Sequence, residues 1–140
     1  MLPAEIHALL MSVDFPVPEG VRLAAGTRTA RLLGRIMALF DSPPVAIALR
    51  NTVYIPDIER YQRLSPEARA ALLAHEFEHV RQWRRWGGLR FLGHYLREYL
   101  RVRRQGIDTH DLAEGIDLER EALAVERHIL AVLNDRRRAV

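Results

Sequence analysis

His75, Glu76 and His79 stand within five consecutive residues of the stretch LLAHEFEHVRQW, residues 72–83. Histidines four apart lie about 40° from one another around a helix, so both imidazoles can reach one ion. Glu76 lies about 100° round from His75, where it can serve a water on that ion without competing as a ligand. H-E-x-x-H is thus a spacing with a mechanism: two neutral imidazoles hold Zn²⁺, and the glutamate takes a proton from its water. The bland alternative is two core histidines bonded to neighbours, with Glu76 in a surface ion pair. Leu72, Val80 and Trp83 flank the histidines, while Glu78, Arg81 and Arg85 face away towards solvent. The histidines therefore belong to the buried face, where an unpartnered imidazole is costly and a metal would satisfy it.

A catalytic zinc takes three protein ligands and keeps one position open. A third histidine in the form HExxHxxGxxH is excluded, because positions 82 and 85 are Gln82 and Arg85. The other solution is a glutamate from a later helix. LEREALAVERHILAVL, residues 118–133, carries an apolar stripe of Leu118, Ala122, Val125, Ile129, Val132 and Leu133, widened by Leu123 and Leu130. Glu119 and Glu126 fall inside that sector and Glu121 at its far edge. A carboxylate on the buried side needs a partner, and a metal is one. Glu119 is the first choice, with Glu121 and Glu126 as alternatives. His110 with Asp108 or Asp111 forms another candidate set, less pre-organised because it sits on a loop.

These residues need elements to hold them. Apolar spacing predicts helices over residues 3–13, 27–40, 65–86 and 89–104, and a last one from Leu112 or Asp117 to about Arg136. Thr27 and Ser65 are the expected caps, and Gly87-Gly88 the stop. VAIALRNTVYIPD, residues 45–57, reads as two short strands turning at Arg50-Asn51, and is the only convincing β signal. The expected fold is α+β, mostly helical, in a single domain over residues 1–140.

Composition sets the bounds. The chain has 140 residues, 49% hydrophobic and 28% charged, as folded globular proteins do. It has no cysteine, which excludes a disulfide frame and a cysteine-held zinc. The net charge is +3, and all 21 basic residues are arginine. No stretch approaches the length of a membrane span, and the first residues lack the pattern of a secretion signal, so a cytoplasmic location is the default expectation.

HEFEH followed by Glu119-Arg120-Glu121-Ala122 resembles the gluzincin zinc metallopeptidases, in which a downstream E-x-x-A helix supplies the third ligand. With Gln82 completing HExxHxxQ, a short preceding strand and small size, the chain looks most like minigluzincins. It also looks like the peptidase domains found with bacterial extracellular contractile injection systems. The resemblance covers about residues 45–130. It implies a zincin-like core, zinc held by His75, His79 and Glu119, Glu76 as general base, and a peptide or protein substrate. The strand Val53, Tyr54, Ile55 would be the edge that pairs with that peptide. Many gluzincins place an acidic residue four positions after the ligand glutamate; here that is Leu123, and Glu126 or Asp117 is the available substitute. Some small gluzincins are latent, which here would use the first ~20 residues or the Arg136–Arg138 tail.

Four residues between the motif and Glu119 are candidates to donate to a developing oxyanion: Tyr95, Tyr99, His94 and His110. Each residue type more often packs or faces water. Tyr54 reads as core, and His7 and His128 as surface. The run RQWRRWGGLR with YLREYLRVRR interleaves arginine and aromatics, as nucleic-acid binders do. Tyr95, Leu96, Tyr99, Leu100 and Val102 at helical spacing instead read as an amphipathic helix with arginines on its wet face, and Glu98 interrupts the charge. That argues against nucleic acid; attachment to a membrane surface has equally little support in the sequence. Trp83 and Trp86 belong either to the core or to a contact between chains. The sequence thus points to a zinc metallopeptidase, with an inactive zinc-binding relative or an arginine-rich binding module as the alternatives.

Overall fold

The computed structural model describes residues 2–39, 44–106 and 116–139. Six helices and three strands are formed by these residues. In chain order they are α1 (Ala4–Ser12), β1 (Arg22–Ala25), α2 (Arg28–Ala38), β2 (Ile47–Leu49), β3 (Thr52–Ile55), α3 (Ile58–Arg63), α4 (Pro66–Trp86), α5 (Gly88–Arg104) and α6 (Asp117–Arg138). The protein is mostly helical with one small sheet, an α+β arrangement.

Ser65 starts the helix that organises the rest. Its Oγ accepts from the Ala68 backbone N–H at 3.1 Å, Pro66 occupies the first turn, and Glu67 complements the helix dipole. The helix ends at Gly87, whose φ of +76° suits a residue without a Cβ. Between these ends α4 buries Ala70, Ala71, Leu73, Ala74, Phe77 and Val80. They meet Ile6 and Leu10 of α1, Val53 and Ile55 of β3, and Ile129 and Leu133 of α6. α1 is therefore part of the core. A second, smaller cluster joins Trp83 to Phe91 and Val102 of α5 and to Ile116 and Leu118.

The sheet has the order β1-β3-β2, with β1 parallel and β2 antiparallel to β3. The β2–β3 hairpin turns at Arg50-Asn51 as the sequence predicts, with Arg50 at a φ of +56°. Arg84 donates to Asn51 and so ties the end of α4 to this turn. β1 was not expected. Its residues RLAA lack the β-branched and aromatic types that mark a strand, and pairing with β3 decides the matter instead. α3 is likewise an element that apolar spacing did not mark; Asp57 caps it, accepting from the Arg60 N–H at 2.9 Å.

β3 lies in the middle of the sheet, which corrects the expectation that Val53, Tyr54 and Ile55 form a substrate edge. Both of its sides are taken up by neighbouring strands, so no free row of N–H and C=O groups remains there. Val53 and Ile55 are core and Tyr54, on the other face, is half-buried. The edge strands are β1 and β2. Gly34 on α2 lies so close to Pro56 that a Cβ would fall 2.6 Å from its ring, which fixes how α2 approaches the sheet. Among the described residues, no helix is long and apolar enough to cross a membrane.

Candidate metal centre

α4 presents His75 and His79 one turn apart, and α6 packs alongside with Glu119 in its first turn. The three side chains converge. His75 Nε2 and His79 Nε2 are 3.2 Å apart, and Glu119 Oε2 lies 3.4 Å from each. A tetrahedral ion with bonds of about 2.0–2.1 Å sets its ligand atoms about 3.3–3.4 Å from one another. The triangle therefore has the dimensions such an ion requires, and its three residues are a group that could hold a metal.

The outer nitrogen of each ring has a polar neighbour, and the inner nitrogens face the centre. His79 Nδ1 donates to Gln82 Oε1 at 2.8 Å. The amide orientation is set by its other end, where Gln82 Nε2 donates to the Leu118 carbonyl at 3.0 Å and to Glu121 Oε2 at 3.1 Å. Gln82 is fully buried, so this bridge between α4 and α6 works away from water. His75 Nδ1 lies 3.0 Å from Glu126 Oε2. That approach is off the hydrogen-bond axis, leaving Nδ1 without an aligned acceptor, so the contact is chiefly electrostatic. Glu126, two turns after Glu119, thus takes the place beside a histidine that Leu123 cannot fill. Asp117 instead pairs with Arg120 at the surface.

Glu76 is buried on the same helix and accepts from the Ala48 backbone N–H. Ala48 pairs opposite Val53 in a hairpin closed by two residues, so its N–H points away from β3, towards the side of β2 that pairs with no described strand. The edge strand beside the centre is therefore β2.

Charge explains what the site demands. Burial pushes the Glu76 carboxyl up, and it stays raised although His79, His75 and the Ala48 N–H favour its charged form. Burial works against the charged form of Glu119 too, but His75 and His79 hold that carboxyl well below the usual carboxylate range. Burial alone would lower both imidazoles. Glu119 and Glu126 overcome it at His75, which is raised to about 10, and Glu119 does the same at His79. Three carboxylates around two imidazoles call for positive charge at the centre, from protons or from a cation.

The other expected site residues lie further out. Glu121 is exposed and reaches Gln82, not the triangle. The Tyr99 hydroxyl accepts from Arg103 Nη1 at 2.9 Å on its own helix. Tyr95 stacks on Phe91 at 6.3 Å, and Phe91 in turn sits edge-on to His79 at 6.3 Å. His94 accepts from Arg97 and lies against Trp86. His110, Asp108 and Asp111 are outside the described residues. His7 and His128 are exposed, as expected. Arg85 is exposed, but Glu78 and Arg81 are half-buried, contrary to expectation. Arg81 pairs with Glu78 and covers the Phe15 ring at 4.6 Å, holding the segment after α1 against α4. A shallow groove lined by Gly34, Arg35, Pro56 and Ile58 shares no residue with the centre.

Sequence reasoning missed Gln82 as a support and Ala48 as a donor. The signal for Gln82 was present: a polar residue three after His79, on the apolar face. Ala48 carries none, because its contribution is a backbone N–H. No protein-family model, curated protein or solved structure matches the chain.

Proposed function

We propose that this chain is a zinc-dependent peptidase with a minimal zincin-like core of the gluzincin type. The observation that carries the reading is the triangle of His75, His79 and Glu119, with edges that suit a tetrahedral ion. His75, His79 and Glu119 would hold the zinc, while Gln82 and Glu126 orient the two imidazoles from behind. Bound there, zinc supplies a Lewis acid that polarises a carbonyl and acidifies water.

The chain's own groups account for the remaining steps. An extended peptide passes beside β2, whose outward N–H at Ala48 is held by Glu76, with its scissile carbonyl brought over the triangle. Glu76, whose carboxyl is pushed up by its burial, accepts a proton from the attacking water and gives it to the leaving amine. The C–N bond breaks, and water is divided between the new carboxylate and the new amine. Of the stabiliser candidates, Tyr95 packs on Phe91, the ring that meets His79.

The test is Glu76→Gln on zinc-loaded protein, read as zinc content beside cleavage of an unfolded protein substrate. The expected result is unchanged zinc and a loss of about 10²–10⁴-fold in hydrolysis. Undiminished cleavage by the variant would remove Glu76 from the mechanism. Absence of cleavage by the zinc-loaded parent across a broad peptide library would leave a structural metal site in place of an enzyme.

A further inference from the structure

α5 carries two apolar faces, and among the described residues only one of them is packed. Phe91 and Val102 turn inward to Trp83, Ile116 and Leu118, with Tyr95 and Tyr99 packed at the margin. Leu89, Leu92, Leu96 and Leu100 turn outward, 89%, 50%, 56% and 44% exposed. On a helix these four fall within an arc of about 80°. Trp86, 38% exposed, extends the row at the α4 end. The sequence reading placed Leu96 and Leu100 on the inner face; the structure places them on the outer one.

The charge around this row is one-sided. Residues 84–104 hold seven of the 21 arginines and one of the 18 acidic residues, so this segment is +6 and the rest of the chain −3. The one acid, Glu98, is buried beneath the helix and pairs with Arg97 and Arg101. Arg90, Arg97, Arg101 and Arg104 follow one another along the flank of the leucine row, where long side chains can reach past the apolar strip. An apolar row edged by cations matches an anionic lipid surface, in which acyl chains take the leucines and headgroups take the guanidinium groups. Nucleic acid fits less well, because the outward row offers leucines where bases need aromatic planes.

We propose that the outer face of α5 is a docking surface for anionic membranes, on which the protein lies without crossing. Gly87 joins this helix directly to α4, and Phe91 on its inner face touches the His79 ring, so docking would set the metal centre beside the membrane.

Co-flotation of the full chain with lipid vesicles tests this, using phosphatidylcholine alone and phosphatidylcholine mixed with phosphatidylserine. The variants are Leu92→Ser/Leu96→Ser and Arg90→Glu/Arg97→Glu, each checked for folding by circular dichroism. The parent should float with the mixed vesicles and not with the neutral ones. Each double variant should bind at least about tenfold more weakly while keeping its spectrum. Three results would overturn the proposal: no flotation with either vesicle; flotation that the leucine variant retains, which marks simple charge attraction; or a dimer in solution that the leucine variant disrupts without any vesicle binding. Tighter binding to duplex DNA, indifferent to the leucine change, would assign the face to nucleic acid instead.

Discussion

Gln82 by a hydrogen bond, and Glu126 by its charge, act on the outer nitrogens of the two rings. A ligand histidine held by its outer nitrogen keeps one tautomer and one orientation, and losing that partner typically weakens metal binding without removing a ligand. Gln82→Leu and Glu126→Gln should each lower zinc affinity about 10–100-fold while leaving one zinc per chain at saturation. Competition with a chromophoric chelator measures this; unchanged affinity in both would mean that neither residue orients a ligand. The convergence of His75 and His79 was legible because a four-residue spacing on a helix brings both rings to one side. Glu119 was legible as a carboxylate on an apolar stripe. The contacts of Gln82 and Ala48 were not, because they depend on how α4 meets α6 and β2, which no local pattern records.

At the scale of elements, α4 is positioned by packing on α1, α6 and β2, and its caps were plain in the sequence. β1 and the strand order were not: RLAA has no intrinsic strand character, and which strand of a hairpin becomes central depends on a partner far along the chain. Phe77 is fully buried at the meeting of these elements and stacks on Phe15. Phe77→Ala should cost about 3–5 kcal/mol in unfolding free energy, read by urea denaturation. Gly34→Ala presses a methyl group into the Pro56 ring, and should cost about 1–3 kcal/mol. A neutral result there would mean that α2 is free to shift away from the sheet.

For the whole molecule, the candidate metal centre joins the two longest described helices, α4 and α6, at one point, so a bound metal and the fold should be linked. An ion that binds only the folded chain, at about a thousandfold excess over its dissociation constant, adds about 4 kcal/mol. In a chain of this size that corresponds to a melting midpoint about 10 °C lower in chelator than in zinc. Equal midpoints would mean that the ion contributes nothing to the fold. The central claim rests on the metal itself, and elemental analysis of the purified chain beside its His75→Ala, Glu119→Ala and Glu121→Ala variants tests it most directly. The expected result is near one zinc per chain in the parent and in Glu121→Ala, with the metal lost from His75→Ala and Glu119→Ala. A parent that takes up no zinc even after incubation with it, or a Glu119→Ala variant that binds as tightly as the parent, would contradict the account.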